Sequence, residues 1–218
     1  MIVKNLTKIF DGRKVLNVES FEFEKGKVYA VVGANGSGKS TFARVLAGAL
    51  KADSGEVKCE GTVRYSPQKN YAFRMSTLKN VVLASGKKDK KRAKELLTKL
   101  DMGHLLKTPA QKLSGGETAK MALARVMTEP CDWLILDEPC AAMDVKSTLV
   151  AEELIKSYVK ECGCAVIIIT HSLKQAERVS DMVLYFDEGK LIEYGESETV
   201  LHNPKSEKTK AFLDFYAI

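Results

Sequence analysis

Short apolar runs alternate along the chain with segments whose apolar residues recur every three or four positions. Three runs, Val28–Val32, residues 133–136 and Ala165–Ile169, are continuously apolar, which is typical of strands buried on both faces of a parallel sheet. Two N-terminal segments, Ile2–Phe10 and residues 15–23, instead alternate between apolar and polar positions, as strands with one exposed face do. The pattern predicts a buried parallel sheet and N-terminal antiparallel strands.

Helical spacing of apolar residues lies between these strands in three places, residues 43–50, 93–100 and 123–127. Residues 71–109 contain no strand pattern, and we interpret them as a mostly helical insertion. Strands that alternate with helices predict a layered α/β fold. Since the chain has 218 residues, we expect one domain over residues 1–218, with an inserted helical subdomain at about 71–112.

Composition excludes some classes of protein. Hydrophobic residues make up 45% and charged residues 28% of the chain, as in ordinary globular proteins. No apolar run approaches the roughly 18 residues of a membrane helix, and the N-terminus lacks a signal-peptide pattern, so we expect a cytosolic chain. The five cysteines lack zinc-like spacing, which favours reduced structural thiols over a metal or redox site.

The net charge of +6 is partly local, because residues 87–92 place five basic side chains around Asp89. Such a run is usually the solvated face of a helix. The alternatives are a docking surface for an acidic partner or anionic lipid, and a contact with nucleic acid. No aromatic residues interleave with these lysines, so nucleic acid is not expected as a partner.

A nucleotide-binding motif follows the first apolar run. Residues 33–41, GANGSGKST, fit the pattern G-x-x-x-x-G-K-[ST] between a predicted strand and a predicted helix. Its glycines let backbone amides turn toward a phosphate at a helix N-terminus. Lys39 is placed to neutralise phosphate oxygens, and Ser40 to offer its hydroxyl to Mg²⁺. The predicted nucleotide-binding residues of this loop are Gly33, Asn35, Gly36, Ser37, Gly38, Lys39, Ser40 and Thr41.

The second apolar run ends in two acidic residues, within WLILDEP. A buried strand would bring Asp137 to the edge of the sheet, where a carboxylate can hold Mg²⁺ through the water shell of the ion. Glu138 points in a different direction and is placed to polarise an attacking water as general base. The alternative is the capped start of a helix, since Pro139 follows, but the presence of Lys39 favours the catalytic interpretation.

Two further polar residues suit the same pocket. His171 follows the third apolar run and could contact a γ-phosphate, although a lone His after a strand is more often a turn residue. Gln68, within YSPQKNYAF, could contact Mg²⁺ and the attacking water. Neither residue stands out without the motifs around it.

The order of these motifs resembles the nucleotide-binding domain of ABC (ATP-binding cassette) transporters. GANGSGKST, Gln68, LSGGE at 113–117, LILDEP, residues 142–144 and His171 follow the order of that family, and the resemblance covers essentially the whole chain. It implies a P-loop NTPase (RecA-like) core that binds ATP and Mg²⁺ and hydrolyses ATP. The implied catalytic residues are Glu138, His171 and Gln68, and the implied Mg²⁺ contacts are Ser40, Gln68 and Asp137.

The resemblance also gives a reason for LSGGE, a second glycine-rich loop without a lysine. In this family two copies pack head to tail, and each ATP lies between the phosphate loop of one copy and the LSGG loop of the other. Ser114, Gly115 and Gly116 would then bind the γ-phosphate of ATP held by the partner, and Asp144 would lie at the dimer seam. Phe10 matches the aromatic that stacks on adenine, with edge-strand packing as its alternative. Both half-sites are intact, so we expect a homodimer.

Four residues depart from the family pattern. Glu117 stands where Gln is commoner, Lys120 stands where Arg is commoner, and Cys140 and Met143 vary the segment after Glu138. We expect the Glu117 side chain to face away from the nucleotide. None of these residues removes a group that would touch phosphate or Mg²⁺, so the site is predicted to be active.

The resemblance implies transport as the use of the ATP. A membrane permease would dock at the helical insertion, where Tyr71, Phe73 and Met75 are the apolar candidates and core packing is the alternative. The tail HNPKSEKTKAFLDF resembles the ends of ATPases from bacterial importers of polar amino acids and oxyanions, and the end at Ile218 argues against an extra regulatory domain. We therefore expect import, a solute-binding protein among the partners, and a cytoplasmic position on the inner face of the cell membrane.

The competing class is a soluble ABC ATPase, such as a component of iron–sulfur assembly. A chromosome-maintenance protein is disfavoured because only 45 residues separate Gln68 from Ser114 and no long heptad region exists. A translation-type ABC protein would usually carry two cassettes in one chain.

Overall fold

The computed structural model describes residues 1–85 and 89–216, in which the strands form two sheets. A three-stranded antiparallel sheet has the order β2-β1-β4, and a six-stranded sheet has the order β5-β6-β7-β3-β8-β9. Only the β8–β9 pair of the larger sheet is antiparallel. The strands are β1 (Ile2–Phe10), β2 (Arg13–Glu22), β3 (Val28–Val32), β4 (Ser54–Lys58), β5 (Val63–Ser66), β6 (Trp133–Asp137), β7 (Ala165–Ile169), β8 (Met182–Asp187) and β9 (Lys190–Glu196).

The α-helices of the described residues follow the strands in an alternating order, as expected for layered α/β proteins. They are α1 (Lys39–Leu46), α2 (Thr77–Val82), α3 (Lys90–Lys99), α4 (Gly115–Val126), α5 (Val145–Cys162), α6 (Leu173–Val179), α7 (Ser197–His202) and α8 (Glu207–Tyr216). The predicted α/β layering and the N-terminal antiparallel strands are confirmed.

The three continuously apolar runs are neighbouring strands of the larger sheet. Every residue of β3, β6 and β7 is buried, and β7 pairs in parallel with both of the others. Alternate side chains of β6 face opposite cores. Leu134 and Leu136 pack with α3, α4 and α5, whereas Trp133 and Ile135 pack with α1 and the smaller sheet. Both faces of these strands are covered, which is why residues 133–136 show no polar alternation.

A third core lies under the C-terminal helices. Phe212 and Leu213 of α8 pack with Leu201 of α7 and with Val183 and Tyr185 of β8. The Phe212 and Tyr185 rings are 4.8 Å apart between centroids. The polar tail of the sequence is therefore held against the sheet through its apolar helix face.

The helical insertion contains α2 and α3, two short 3₁₀ turns and a bridge between Ser76 and Pro109. Buried residues of this segment, including Val81 and Leu96, share one hydrophobic core with β6 and α5. Its division from the rest of the chain as a subdomain at about 71–112 stays a prediction.

The structure corrects the local conformation expected for LSGGE. Gly115 is the first residue of α4 and Ser114 is its N-cap, so the two glycines lie in a helical turn rather than in a loop. The Ser114 Oγ accepts a hydrogen bond from the backbone N–H of Glu117, and the Glu117 carboxylate accepts one from the N–H of Ser114. This reciprocal capping box favours helix over loop.

The basic run is described only in part, because Lys87 and Lys88 lie outside the described residues. Lys90 and Lys91 are exposed in the first turn of α3. Arg92 pairs with Glu161 of α5 at 2.9 Å.

A pair of glycines tests how tightly the β8–β9 turn packs against β2. Gly189 and Gly163 have φ of +78° and +64°, but a Cβ at Gly189 would lie 2.3 Å from the Val15 carbonyl oxygen, whereas nothing lies within 4 Å of one at Gly163. We expect Gly163→Ala to lower the free energy of unfolding by about 1 kcal/mol, and Gly189→Ala by about 3 kcal/mol. Urea unfolding of both variants measures the difference, and equal losses would contradict this packing.

Candidate functional site

Four predicted site segments follow four parallel strands at the same edge of the larger sheet. The loop at 33–38 follows β3, Asp137 ends β6, His171 follows β7, and Gln68 follows β5. Parallel strands place their carboxyl ends together, and in open α/β sheets ligands bind outside this edge. The strand register therefore gathers residues that are up to 138 positions apart in the sequence, the span from Gly33 to His171.

The phosphate loop is closed around the Lys39 ammonium. The Lys39 Nζ donates hydrogen bonds to the carbonyl oxygens of Gly33 and Ala34 at 2.7 and 2.8 Å. Gly33 has φ of +148°, and a Cβ there would lie 2.1 Å from the Phe186 carbonyl oxygen, so only glycine fits. Burial lowers the pKa of Lys39, while Glu138 and Asp137 raise it. A buried cation is thus held among carbonyls, close to two carboxylates.

The N-terminus of α1 lacks a side-chain cap, unlike those of α4 and α5. Gly38 is the N-cap residue of α1 and contributes no side chain, and the first turn holds no acidic residue. Ser114 caps α4 and Asp144 caps α5, each through a side-chain oxygen. Uncapped amides and the helix dipole favour an anion at this end of α1, and Lys39 supplies a positive charge beside it.

Asp137 and Ser40 form a pair of oxygen ligands at the mouth of the loop. The Ser40 hydroxyl donates to Asp137 Oδ1 at 3.1 Å, and Asp137 is only 2% exposed. Burial raises the pKa of Asp137, and the hydrogen bond from Ser40 opposes that rise. Within the described residues, no group of three or more His, Cys, Asp or Glu side chains could hold a metal ion alone. The pair still fits Mg²⁺, which commonly takes one or two carboxylates together with substrate phosphates and water.

Glu138 is held in an unusual backbone conformation between Asp137 and Pro139. Its φ of +50° lies in the left-handed region, which non-glycine residues rarely adopt. Its N–H donates to the Ile169 carbonyl oxygen of β7 at 2.9 Å, which ties this strained residue to the sheet. Backbone strain of this kind is concentrated at functional sites.

Two of the predicted site residues contact the Glu138 carboxylate. Gln68 Nε2 donates to Glu138 Oε2 at 3.1 Å, and His171 Nδ1 lies 3.4 Å from Glu138 Oε1. The carboxylate, His171 and Cys140 line a cavity of about 160 Å³. The structure therefore brings together the three residues predicted to be catalytic.

The LSGG segment lies beside a different part of the chain. A Cβ at Gly116 would be 2.9 Å from the Ala142 carbonyl oxygen, and one at Gly115 would be 3.7 Å from Ala142 Cβ. In the described part of the chain, no hydrogen bond joins residues 114–116 to residues 33–41. The Glu117 carboxylate, expected to face away from nucleotide, is occupied by the Ser114 N–H, which lowers its pKa.

Phe10 and Asp144 are the least determined of the predicted site residues. Phe10 ends β1 with 43% of its surface exposed, and Lys8 Nζ lies 5.2 Å from its ring centroid. Asp144 accepts hydrogen bonds at 2.8 Å from the N–H and the hydroxyl of Ser147, and the N–H contact contributes most to its lowered pKa. Capping of α5 is thus a sufficient structural role for Asp144, and its place at a dimer seam stays a prediction.

Two residues near Asp137 were not predicted. Tyr65 Oη lies 3.5 Å from Asp137 Oδ2, and the charge of Arg44 opposes the rise in the pKa of Asp137 that burial causes. Arg44 lies five residues after Lys39 on α1, a spacing that carries no recognisable motif. Tyr65 belongs to β5, a four-residue strand too short to show a periodic pattern.

Comparison with known proteins identifies the family. The ABC transporter family profile matches residues 16–141. The aliphatic sulfonates import ATP-binding protein SsuB 1 of Streptomyces avermitilis is 34% identical over 99% of this chain and 83% of its own length. The chain belongs to the ABC transporter family. It is an ATP-binding subunit of that family, and its enzymatic activity is ATP hydrolysis.

A second relative supports the family assignment, and a solved structure shows the same fold. The zinc import ATP-binding protein ZnuC of Vibrio vulnificus is 35% identical over 84% of this chain and 71% of its own length. The dimeric structure of MJ0796, described as a bacterial ABC transporter cassette, has a TM-score of 0.83 and 24% identity, and the match covers 90% of this chain and 99% of that one. The predicted P-loop NTPase fold is therefore confirmed for this ABC ATPase. Within the described residues, none of its helices combines the length and apolarity needed to span a bilayer.

The buried carboxylate of Asp137 predicts a conflict between stability and activity. Its raised pKa means that the ionised form destabilises the folded state at neutral pH. We expect Asp137→Asn to unfold at a higher temperature than wild type at pH 7, although MgATP hydrolysis falls roughly 10- to 100-fold. The difference in unfolding temperature between the variant and wild type shrinks as the pH falls through the pKa of Asp137 in the folded protein. It vanishes below the pKa of an aspartate in the unfolded chain, about 3.9. Calorimetry over this pH range checks the sign, and a variant less stable than wild type at pH 7 would refute it.

Proposed function

We propose that this chain is the ATPase subunit of an importer and that it couples ATP-driven dimer closure to solute movement through a separate membrane permease. The observation that carries the proposal is the arrangement of Lys39, Ser40, Asp137 and Glu138 at one sheet edge, with LSGG placed against residue 142. The first set suits a bound nucleotide. Because LSGG lies beside residue 142, the contact that it would make with a γ-phosphate has to come from the LSGG segment of another copy.

Nucleotide binding uses the phosphate loop and the residues beside it. The uncapped start of α1 and the Lys39 ammonium bind the β- and γ-phosphates of ATP, and Phe10 stacks on the adenine. Ser40, Asp137 and Gln68 would hold Mg²⁺, and the ion would neutralise charge on the phosphate oxygens. The 3.1 Å contact between Ser40 and Asp137 supports this assignment because both oxygens face one position.

Hydrolysis uses Glu138 as the general base. Its carboxylate accepts a proton from the attacking water while Lys39 stabilises negative charge on the transferred phosphoryl group. Gln68 and His171 contact opposite oxygens of the carboxylate, and this restricts its rotation. His171 is 57% exposed on its side chain, so it can also reach a γ-phosphate and report its presence.

A complete site requires two copies in a head-to-tail homodimer. Ser114, Gly115 and Gly116 of one copy contact the γ-phosphate held by the other, and Asp144 lies at the seam between them. The exposure of Ser114 and Gly115 supports this arrangement, since the N-terminus of α4 is open to a second molecule. Closure then depends on ATP, because the LSGG contact exists only when a γ-phosphate is present.

Transport requires partners outside this chain. Tyr71, Phe73 and Met75 contact the permease, and the chain lies on the inner, cytoplasmic face of the cell membrane, with a solute-binding protein serving the complex from outside. Relatives named for import of aliphatic sulfonates and zinc support the import direction. These two solutes are chemically unlike each other, so the likeness favours import without favouring a solute.

Co-purification tests transport against the soluble alternative. The chain would be tagged in its own cell, extracted from gently solubilised membranes, and its partners identified by mass spectrometry. A co-purified polytopic membrane protein supports the importer subunit. Recovery only in the soluble fraction with assembly proteins would contradict transport and leave the ATPase mechanism intact.

Replacement of the general base tests the hydrolytic mechanism and the dimer together. We expect Glu138→Gln to slow ATP hydrolysis by about 10²- to 10⁴-fold, because an amide cannot accept the proton. The variant should accumulate as an ATP-bound dimer in MgATP, measured by light scattering.

Glu188→Gln is the matched control for this experiment. Glu188 is exposed in the β8–β9 turn and has a left-handed φ of +45°, close to that of Glu138. The Glu188→Gln variant should hydrolyse ATP at the wild-type rate. A monomeric Glu138→Gln protein in MgATP would show that the isolated chain does not form the proposed dimer.

A further inference from the structure

Helix α1 packs against β6 and carries two polar side chains one helical turn apart. Ser40 and Arg44 are four positions apart in α1, so both lie on the same side of the helix. The Ser40 hydroxyl donates to Asp137 Oδ1 at 3.1 Å. Arg44 is exposed, and its charge acts on the same carboxylate. The helix thus brings a hydroxyl and a guanidinium toward Asp137.

Strand β5 supplies a third polar group to this carboxylate. Tyr65 is paired with Ile135 in the parallel register of β5 and β6, and it packs in the same core as Ile135. Ile135 and Asp137 share a face of β6 because they are two positions apart. A residue two positions along a neighbouring strand is within reach of an aromatic side chain. The Tyr65 hydroxyl accordingly donates to Asp137 Oδ2 at 3.5 Å.

The two hydroxyls contact different oxygens of Asp137, Ser40 at Oδ1 and Tyr65 at Oδ2. The last torsion of an Asp side chain has broad minima, so hydrogen bonds set the plane of its carboxylate. One donor leaves the carboxylate free to turn, whereas donors on both oxygens restrict its plane. Each oxygen has two acceptor sites, so each keeps one for the water shell of a metal ion.

Arg44 sets the direction in which the Tyr65 hydroxyl donates. Burial and the charge of Asp137 raise the pKa of Tyr65, and a hydrogen bond from Arg44 opposes that rise. A guanidinium can only donate hydrogen bonds, whereas a phenol has one proton to donate and can also accept. Because Arg44 donates to the phenol oxygen, the phenol proton is directed at Asp137.

The polar contact of Tyr65 differs from those of two other tyrosines. Tyr29 Oη accepts a hydrogen bond from the Glu24 N–H at 2.8 Å, and Tyr158 Oη donates to a backbone carbonyl oxygen at 2.6 Å. Backbone groups are the usual partners of buried polar side chains. Tyr65 instead contacts the carboxylate of Asp137, which indicates a role at the site in addition to packing.

Strand β5 serves both carboxylates of the site. It lies at the edge of the larger sheet and ends at Ser66, two residues before Gln68. Gln68 Nε2 donates to Glu138 Oε2 at 3.1 Å, whereas the Tyr65 hydroxyl donates to Asp137. One strand thus places a hydrogen-bond donor on each of two adjacent acids.

We propose that Tyr65 is a positioning residue for Mg²⁺ binding, because its hydroxyl holds Asp137 Oδ2 so that the carboxylate faces the ion, and that Arg44 orients this hydroxyl. The inference rests on the Mg²⁺ contacts proposed above for Ser40 and Asp137, and it adds the groups that fix Asp137. Tyr65 acts through Asp137 rather than on the ion. The contact of 3.5 Å is long, but hydrogen bonds at catalytic sites commonly tighten when the ligand binds.

Calorimetric titration with ADP, in Mg²⁺ and in EDTA, tests this role in the full chain. ADP is chosen because it lacks the γ-phosphate that a second copy would contact. Tyr65→Phe removes one oxygen and keeps the ring, so the variant and wild type should bind ADP equally in EDTA. We expect Mg²⁺ to tighten ADP binding by wild type. The variant should lose most of that gain, about tenfold in affinity, as is common when an outer partner of a metal ligand is removed.

The free Mg²⁺ concentration that half-saturates ATP hydrolysis supplies a second measurement. We expect this concentration to rise about tenfold in Tyr65→Phe. The maximal rate should return toward wild type at saturating Mg²⁺, because the Asp137 carboxylate is misplaced rather than lost. Asp137→Asn lacks the carboxylate and should stay slow at saturating Mg²⁺. Arg44→Gln should raise the Mg²⁺ requirement by less than Tyr65→Phe does, since the Tyr65 hydroxyl remains.

Tyr194→Phe is the matched control. Tyr194 lies on β9 and is 57% exposed, so removal of its hydroxyl should change neither ADP binding nor the Mg²⁺ requirement. Thermal unfolding of the Tyr65, Arg44 and Tyr194 variants shows whether each is folded.

Each remaining outcome bears on a different claim. A Tyr65→Phe variant that matches wild type in both titrations and in its Mg²⁺ requirement would overturn the inference alone. Equal weakening of ADP binding in EDTA and in Mg²⁺ would overturn it in favour of a packing role for the hydroxyl. If Mg²⁺ changed neither ADP binding nor hydrolysis by wild type, the proposed Mg²⁺ contacts would be contradicted, and the inference would fall with them.

Discussion

The site depends on the pairing of β6, β7 and β3 in one parallel register. Ile169, the last residue of β7, is paired with Asp137 on one side and with Val31 on the other. The same ladder continues past the strand ends, where the Glu138 N–H donates to the Ile169 carbonyl and the Thr170 N–H donates to Val31. One set of backbone hydrogen bonds thus positions the phosphate loop, both carboxylates and the residue before His171. A shift of register would separate all of these groups together.

The buried sheet also allows the site to hold groups that are unfavourable in isolation. Lys39 and Asp137 are both buried, with pKa values displaced by burial toward their neutral forms, and Glu138 adopts a left-handed conformation. These features persist because β3, β6 and β7 are covered on both faces and cannot relax. A bound nucleotide with its metal ion would provide opposite charges for Lys39 and Asp137. The charged groups that activity needs therefore lower the stability of the protein at this edge of the sheet.

The sequence predicts the site better than it predicts the periphery of the fold. The continuous apolar runs identify β3, β6 and β7, and their following motifs place Lys39, Asp137 and Glu138, because burial on both faces leaves a clear pattern. The short strands β4 and β5 and the edge strand β9 carry mixed polarity, and they were not predicted. Arg44 and Tyr65 near Asp137 are set by tertiary packing, so no local spacing reveals them. The helical start at Gly115 was missed because the capping box of Ser114 and Glu117 outweighs the low helix propensity of two glycines.

The central claim is that one chain holds two half-sites and that a complete site needs two chains. Mixing two inactive variants tests it most directly, with Lys39→Ala removing the phosphate-loop lysine and Ser114→Arg blocking the LSGG contact. Each variant alone should hydrolyse almost no ATP. In an equimolar mixture, a heterodimer contains one site built from an intact loop and an intact LSGG, so roughly a quarter of all sites are restored. Recovery of ATP hydrolysis on mixing is the predicted result, and a mixture no more active than its separate components would contradict the two-chain site.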